Sequence, residues 1–563
     1  MERLSDDTLL EVLRWVPELP YWAACELVSQ RWCALLRRSR TRVVLSHGQH
    51  TRAAFDEALC AAQRSDLPQV ELRVSAVLRS DRGYGDERVP PPLWDAAVQR
   101  QLEAVVTRSV ETLSVLEISG PPVRFPAPTA VLDPVLEALA RAPQLMLRHL
   151  DLSWTDAASR EALGRLLAAA RAPEADAAEE GEAEATEPSR PLRGQGLRTL
   201  RLGGCTQLDD ALLADGVGPL APQLAELSLA SCASVSAEAL SQMCSVCGSL
   251  TSLDLSQVRL TRSALRRCLS HPHIARGMRS LSLAGHTGLN SNALGEALLT
   301  CEALTEFDFS ASLFSDGALR GNTLASQWRG AAHLSNIRSA RLSECSAFTD
   351  AGVAELCRAA GASLTSLALG GPFSPLSDAA ASEIGSRCSA PLRELELPCT
   401  RLDTAGLCSL ARIGSNLSRL DLSGCGLLSE DALSQLLRRT GPGCGARLHT
   451  LLLRSCDRAV TDALLAGFLP RASSLRTLDV AYCAALTDAT AVLIASGRAR
   501  ALAELRHLDI TGCHRLTTRG RQRLHPADAA HSTLRVVGLD EEEDLVDEIG
   551  LETPLEHMRM RNV

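Results

Sequence analysis

An α/β array of stacked strand–helix units, with parallel strands on an inner rim and helices on an outer one, is what this sequence predicts. Three observations carry the prediction. The 563-residue chain is 45% hydrophobic yet holds only six Trp, three Tyr and eight Phe. A large core filled by Leu, Ala and Val points to one small packing unit used many times. One spacing recurs: Leu, two residues, Leu, one residue, Leu, two residues, then often Cys. It reads Leu197, Leu200, Leu202, Cys205, and later Leu475, Leu478, Val480, Cys483. After each such run comes a second apolar pattern at helical spacing, as in Asp462, Leu464, Leu465 or Asp488, Val492, Leu493.

From Leu197 to Leu534 twelve steps cover 337 residues, a mean near 28, inside the range of leucine-rich repeats. The second and third leucines alternate with polar residues and share the inward face of a short strand. Thr461 and Thr487, each followed by Asp, provide helix N-cap signals. One unit cannot bury its own apolar face, whereas a stack can. Upstream, Leu113, Leu116, Ile118 and Leu147, Leu150, Leu152 fit the template, with Leu67, Val70, Leu72 a weaker match. Leu534, Val537, Leu539 closes the series.

The expected organisation is a helical segment over 1–40 and degenerate first repeats with a loop over 41–112. The repeat array then fills 113–542, and an acidic tail 543–563. The step from Leu147 to Leu197 is 50 residues and holds seven acids between Glu174 and Glu187. A disordered insertion over about 173–191 is expected there, because such a composition cannot bury surface.

Composition excludes several functions. No run of 18 apolar residues occurs, so no membrane span is predicted, and Met1–Asp7 lacks the pattern of a signal peptide. Nineteen cysteines without an export signal favour reduced thiols in cytoplasm or nucleus. A net charge of −9 argues against nucleic acid as a general partner. All 58 basic residues are arginine, which removes Schiff-base and P-loop lysine chemistry. No nucleophile elbow, Walker loop or spaced metal-ligand set is found, so neither an enzyme nor a cofactor is expected. The repeat cysteines lie a whole unit apart and read as buried turn residues. Cys244 and Cys247, a lone Cys-x-x-Cys, and His271 and His273 read as packing and turn residues. Phe314 and Trp328 are candidate aromatic anchors, more readily read as buried.

The residue between the second and third leucines should face out from the inner rim. Of fifteen such positions eight are acidic and two basic, so the concave face is expected to attract a cationic protein segment. Asp254, Asp308, Glu396, Asp421, Asp479 and Asp509 stand there, with Glu394 beside them. These are the candidate substrate-binding residues.

Residues 4–36 leave the repeat. Ser5 with Asp6 and Asp7 can open a helix, Leu9, Val12, Leu13 and Val16 recur at helical spacing, and Pro17 and Pro20 end it. Three short helices here own more apolar surface than so small a bundle hides. The segment Leu4, Asp7, Leu10, Val12, Leu13, Val16, Pro17, then Leu27, Val28, Ser29, Arg31, Trp32, Leu35 resembles an F-box. Ser5 stands where the family usually has Pro. An F-box ahead of cysteine-containing leucine-rich repeats resembles the FBXL class of F-box proteins. The resemblance implies a non-catalytic substrate receptor of an SCF-type ubiquitin ligase. Leu4, Leu10, Leu13, Val16, Pro17, Val28 and Trp32 would hold a Skp-family adaptor linked to a cullin complex, and the repeats would hold the substrate. The alternative is a repeat scaffold or inhibitor with no ubiquitin link.

Overall fold

The computed structural model describes residues 42–46, 71–75, 96–119, 132–142, 145–155, 158–171, 196–320, 332–388, 392–439, 447–497, 502–524 and 534–537. The adaptor segment 1–40, the acidic insertion, Trp328 and the acidic tail lie outside them. The chain divides into two compact units, Met1–Leu313 and Phe314–Val563.

Among the described residues of the first unit nine strands follow one another: β1 Arg42–Ser46, β2 Glu71–Ser75, β3 Val115–Ser119, β4 His149–Asp151, β5 Thr199–Arg201, β6 Glu226–Ser228, β7 Ser252–Asp254, β8 Ser280–Ser282 and β9 Glu306–Asp308. Each pairs in parallel with the next. The second unit holds β10 Ser339–Arg341, β11 Ser366–Ala368, β12 Glu394–Glu396, β13 Arg419–Asp421, β14 Thr450–Leu452, β15 Thr477–Asp479, β16 His507–Asp509 and β17 Arg535–Val537. These too pair in parallel in chain order. Between most strands runs a helix, such as Ala237–Val246 or Asp462–Phe468, as parallel pairing requires a crossover. The fold class expected from the spacing is therefore the observed one: a leucine-rich-repeat α/β array.

The register aligns equivalent leucines. Leu150 pairs with Leu200, Leu227 with Leu253, and Leu451 with Leu478. All six are buried, so the core is a leucine stack between sheet and helices. Two assignments move. Leu72 pairs with Leu116, the second leucine of its unit, so Leu72 and Val74 carry the pattern, two residues later than Leu67, Val70, Leu72. A shift of two keeps the same residues on the same face, and the sequence therefore does not discriminate against it. At the end of the array Leu508 pairs with Val536 and Asp509 with Val537. Val536 thus takes the place expected for Val537, and Val537, not Gly538, joins the outward row.

Two sets of bonds tie many of the repeats to their neighbours beyond the backbone ladder. The first lies just past the strand. One residue per turn takes a left-handed backbone, as at Gly204, Ser231, Gly424, Ser455 and Tyr482, and the next residue is the repeat cysteine or its substitute. The carbonyl of the third leucine then accepts two donors. Leu202 O takes the Cys205 N–H at 3.1 Å and the Cys232 thiol at 3.2 Å. Leu422 O takes the Cys425 N–H at 3.2 Å and the Cys456 thiol at 3.1 Å. His286 bonds Leu255 O at 2.7 Å in place of a thiol. Burial pushes the thiols of Cys232 and Cys425 up to about 11 and that of Cys456 up to about 12. They stay protonated, and so remain donors, at neutral pH.

The second set joins the helix starts. Thr461 caps its helix by accepting from the Leu464 N–H at 3.2 Å. The following Asp462 accepts from the next cap residue, Thr487, through its N–H at 3.0 Å and its hydroxyl at 2.6 Å. Asp350 holds Ser377 likewise at 2.8 and 2.6 Å, and Asp488 holds Thr517 at 2.9 and 2.7 Å. Ser or Thr followed by Asp is thus both a cap and a clasp. Burial raises the Asp462 pKa, but the bonds from Thr487 and Thr490 outweigh it and hold the carboxyl below its usual range.

Asp462→Ala is expected to lower stability by about 2 kcal/mol, measured by urea unfolding at neutral pH. Because the folded-state pKa is depressed, the wild-type advantage is full above the ordinary carboxylate pKa. It disappears as pH falls through the folded value, so the gap between wild type and variant should close in acid.

Candidate protein-binding surface

Strand register brings the outward residues into rows. Glu117, Asp151, Arg201, Ser228, Asp254, Ser282 and Asp308 are aligned in the first unit. Arg341, Ala368, Glu396, Asp421, Leu452, Asp479 and Asp509 are aligned in the second. Asp254 and Asp308 belong to the first unit, with Ser282 between them. Glu394 and Glu396 share β12, next to Asp421 on β13, and Asp479 adjoins Asp509.

Most of these carboxylates have local work. One oxygen of each aspartate accepts the backbone N–H two residues on, forming the turn that leaves the strand. Asp254 holds Ser256 at 3.0 Å, Asp308 holds Ser310 at 2.9 Å and Asp421 holds Ser423 at 2.9 Å. Asp479 holds Ala481 at 3.0 Å and Asp509 holds Thr511 at 2.9 Å. Glu394 instead accepts from the Ser366 hydroxyl at 2.9 Å. Arginines in or beside the row neutralise others. Arg201 meets Glu226 at 2.5 Å and Asp151 at 3.7 Å, and Arg419 meets Glu396 at 2.6 Å. Arg454 reaches both Asp479 at 3.4 Å and Asp509 at 2.9 Å while lying over the Tyr482 ring at 5.6 Å. Asp509 has only 3% of its side chain exposed. Burial pushes the carboxyls of Asp421 and Asp479 up, and the Arg454 charge opposes that at Asp479.

In the first unit the row opens into a notch of about 290 Å³ lined by Asp151, Trp154, Arg201, Glu226 and Asp254 among others. Here carboxylates outnumber the one guanidinium, and a cationic side chain would be attracted. Burial and the nearby Arg201 charge lower the His149 pKa, so this imidazole adds no positive charge at neutral pH.

A second row was missed by the sequence reading. The residue after the first leucine is Arg at Arg148, Arg198 and Arg279 in the first unit, and at Arg338, Arg393, Arg476 and Arg506 in the second. All seven are exposed. The signal was present in the sequence as Leu-Arg, Met-Arg or Ile-Arg at the start of seven repeats, three positions ahead of the acidic row. Exposed Phe373, 74% accessible, was also missed. Phe314 is buried against Phe348, ring centroids 5.6 Å apart, and Cys244, Cys247 and the seven repeat cysteines are buried. Among the described residues no group of three or more His, Cys, Asp or Glu could hold a metal ion, and no helix is long and apolar enough to cross a membrane.

A regular parallel ladder, a helix between strands and one left-handed turn per unit together define a leucine-rich-repeat protein. No family model matches the chain. It is similar to the DNA repair protein rhp7 of Schizosaccharomyces pombe, 37% identical over 117 residues, 20% of this chain and 19% of that one. The chain thus matches about a fifth of the length of this curated relative. Among solved structures it is similar to yeast Rad7 in its complex with Elc1, at 18% identity, covering 59% of this chain and 84% of that one, TM-score 0.44. It is also similar to an internalin, inlF, from Listeria monocytogenes, at 13% identity, covering 80% and 96%, TM-score 0.30.

Arg454→Ala strands two carboxylates, one of them buried, and should cost about 3 kcal/mol. Arg506→Ala, at an exposed guanidinium with no ion pair among the described residues, should change stability by less than about 0.5 kcal/mol. Equilibrium unfolding of the two variants side by side checks the difference.

Proposed function

We propose that the chain is the non-catalytic substrate-recognition subunit of a ubiquitin ligase. Residues 1–40 would bind a Skp-family adaptor and so a cullin complex, and the repeats would bind the substrate. The observation that carries the reading is the pairing of an F-box-like segment, from Leu4 to Trp32, with an extended repeat sheet whose outward side chains offer charge for recognition. No bond is made or broken by this chain. It raises the local concentration of a substrate near the transferring enzyme. The likeness to rhp7 supports placing the receptor in DNA repair and hence in the nucleus, alongside or instead of the cytoplasm.

On this reading Leu4, Leu10, Leu13, Val16, Pro17, Val28 and Trp32 form the adaptor face. The substrate face is the carboxylate row at Asp254, Asp308, Glu394, Glu396, Asp421, Asp479 and Asp509. The first-unit notch at Asp151, Glu226 and Asp254 is its most negative part and suits a basic segment of the substrate. The alternative, a scaffold with no ubiquitin link, predicts the same repeats and no adaptor.

A Skp-family adaptor should co-purify with the full chain, and Leu13→Asp or Trp32→Ala should reduce its recovery about tenfold or more, with thermal unfolding of the repeats unchanged. Elc1, the companion of yeast Rad7, belongs in the same experiment as a second candidate adaptor. Recovery of neither adaptor would leave the scaffold reading.

A further inference from the structure

We propose that the strand-entry edge of the second unit, marked by Arg338, Arg393, Arg476 and Arg506, docks an acidic polypeptide segment lying across the strands.

The column is held in register by backbone bonds. The Thr365 N–H donates to Arg338 O at 2.7 Å and the Arg393 N–H to Thr365 O at 2.8 Å. The chain of bonds continues through Ser418, His449 and Arg476 to Arg506, each at 2.7 or 2.8 Å. Thr365 and Ser418 turn their hydroxyls back onto the Arg338 and Arg393 carbonyls, at 3.1 and 3.2 Å. Between arginines the edge carries Thr365 and Ser418, whose hydroxyls are internally satisfied, and His449.

The guanidinium groups are unspent. Among the described residues Arg338, Arg393 and Arg506 have no ion pair, and Arg476 has one, to half-buried Glu504 at 3.5 Å. Several other arginines of this unit are engaged: Arg419 with Glu396, Arg454 with two aspartates, Arg387 with Glu383. The five carboxylates on these strands already have Arg419 and Arg454 beside them, with Arg341 in the same row. The column supplies positive charge in excess. In the first unit, by contrast, Arg148, Arg198 and Arg279 face a sheet whose carboxylates outnumber them.

Geometry selects a narrow ligand. The outward row lies three residues further along the chain, as from Arg393 to Glu396 and from Arg476 to Asp479, about 10 Å away, and Glu394 alone stands directly beside the column, bonded by the Ser366 hydroxyl. Duplex nucleic acid, whose major groove alone is about 12 Å wide, would carry phosphates over those carboxylates. A single polypeptide can lie along the column and keep clear of the row, passing only Glu394. From β10 to β16 are six strand spacings, about 29 Å, close to the length of an α-helix of about 20 residues. The helix pitch of about 5.4 Å approaches the strand spacing of about 4.8 Å, so an acidic stripe can meet successive repeats. The guanidinium fork binds carboxylates bidentately.

The test uses the full chain and a fluorescein-labelled helical peptide of about 20 residues rich in Glu and Ala, followed by anisotropy. The peptide should bind at low ionic strength and weaken with salt. Arg393→Gln with Arg476→Gln and Arg506→Gln should weaken binding about tenfold. Arg148→Gln with Arg198→Gln and Arg279→Gln should leave it within about twofold. Circular dichroism melts of both sets verify folding, and the matching Arg→Lys set, which preserves charge, should retain part of the binding. The proposal is overturned by absence of peptide binding, by equal losses in the two Gln sets, or by a labelled DNA duplex of similar length binding more tightly through the same arginines.

Discussion

The buried carbonyl at the end of each strand is the constraint around which this protein is organised. It lies where the chain turns away from the sheet, cut off from solvent, with two lone pairs to satisfy. The turn's own N–H takes one, and in many repeats a side chain of the following repeat takes the other. A small protonated donor is needed, and Cys, with its raised pKa, fills the position again and again. His286 does the same with a ring nitrogen, and Thr155 and Ser312 bond the equivalent carbonyl of their own turn. No metal or disulfide is required to account for these thiols.

The same economy governs the sheet's outward face. An aspartate after the second leucine has one oxygen committed to the turn, so its negative charge is a by-product of folding before it is a recognition element. Its remaining potential is then tuned by whichever arginine stands beside it. Arg454 quenches Asp479 and Asp509, whereas the notch at Asp151, Glu226 and Asp254 has only Arg201. The arginines three residues earlier, just ahead of the strand, have no turn to form, and their charge is available to solvent.

Much of the architecture was legible in the sequence because a repeat reports its own period. Leu448, Leu451, Leu453, Cys456 and their equivalents fixed strand, turn and inward face together. The Thr–Asp pairs announced the helix starts, though not that each aspartate grips the next repeat. Register was lost at the ends. Leu72 is consistent with two placements on one face, and around Val536 one residue fewer separates first leucine from strand. The surface was harder to read. A tally of the aspartate row treated charge as free, while three-dimensional pairing and burial decide how much of it remains. The arginine column was visible as text and carried no weight until the exposure of its side chains was known.

The left-handed turn residue also leans toward its successor. Trp154 occupies the space where Gly204 lacks a side chain, and Tyr482 does the same at Gly512, both glycines themselves being left-handed. The bulky partner and its vacancy therefore sit in different repeats. A protein engineer who cut this array at unit boundaries and shuffled the pieces would separate lock from key, and the natural segment for grafting is a pair of units, not one.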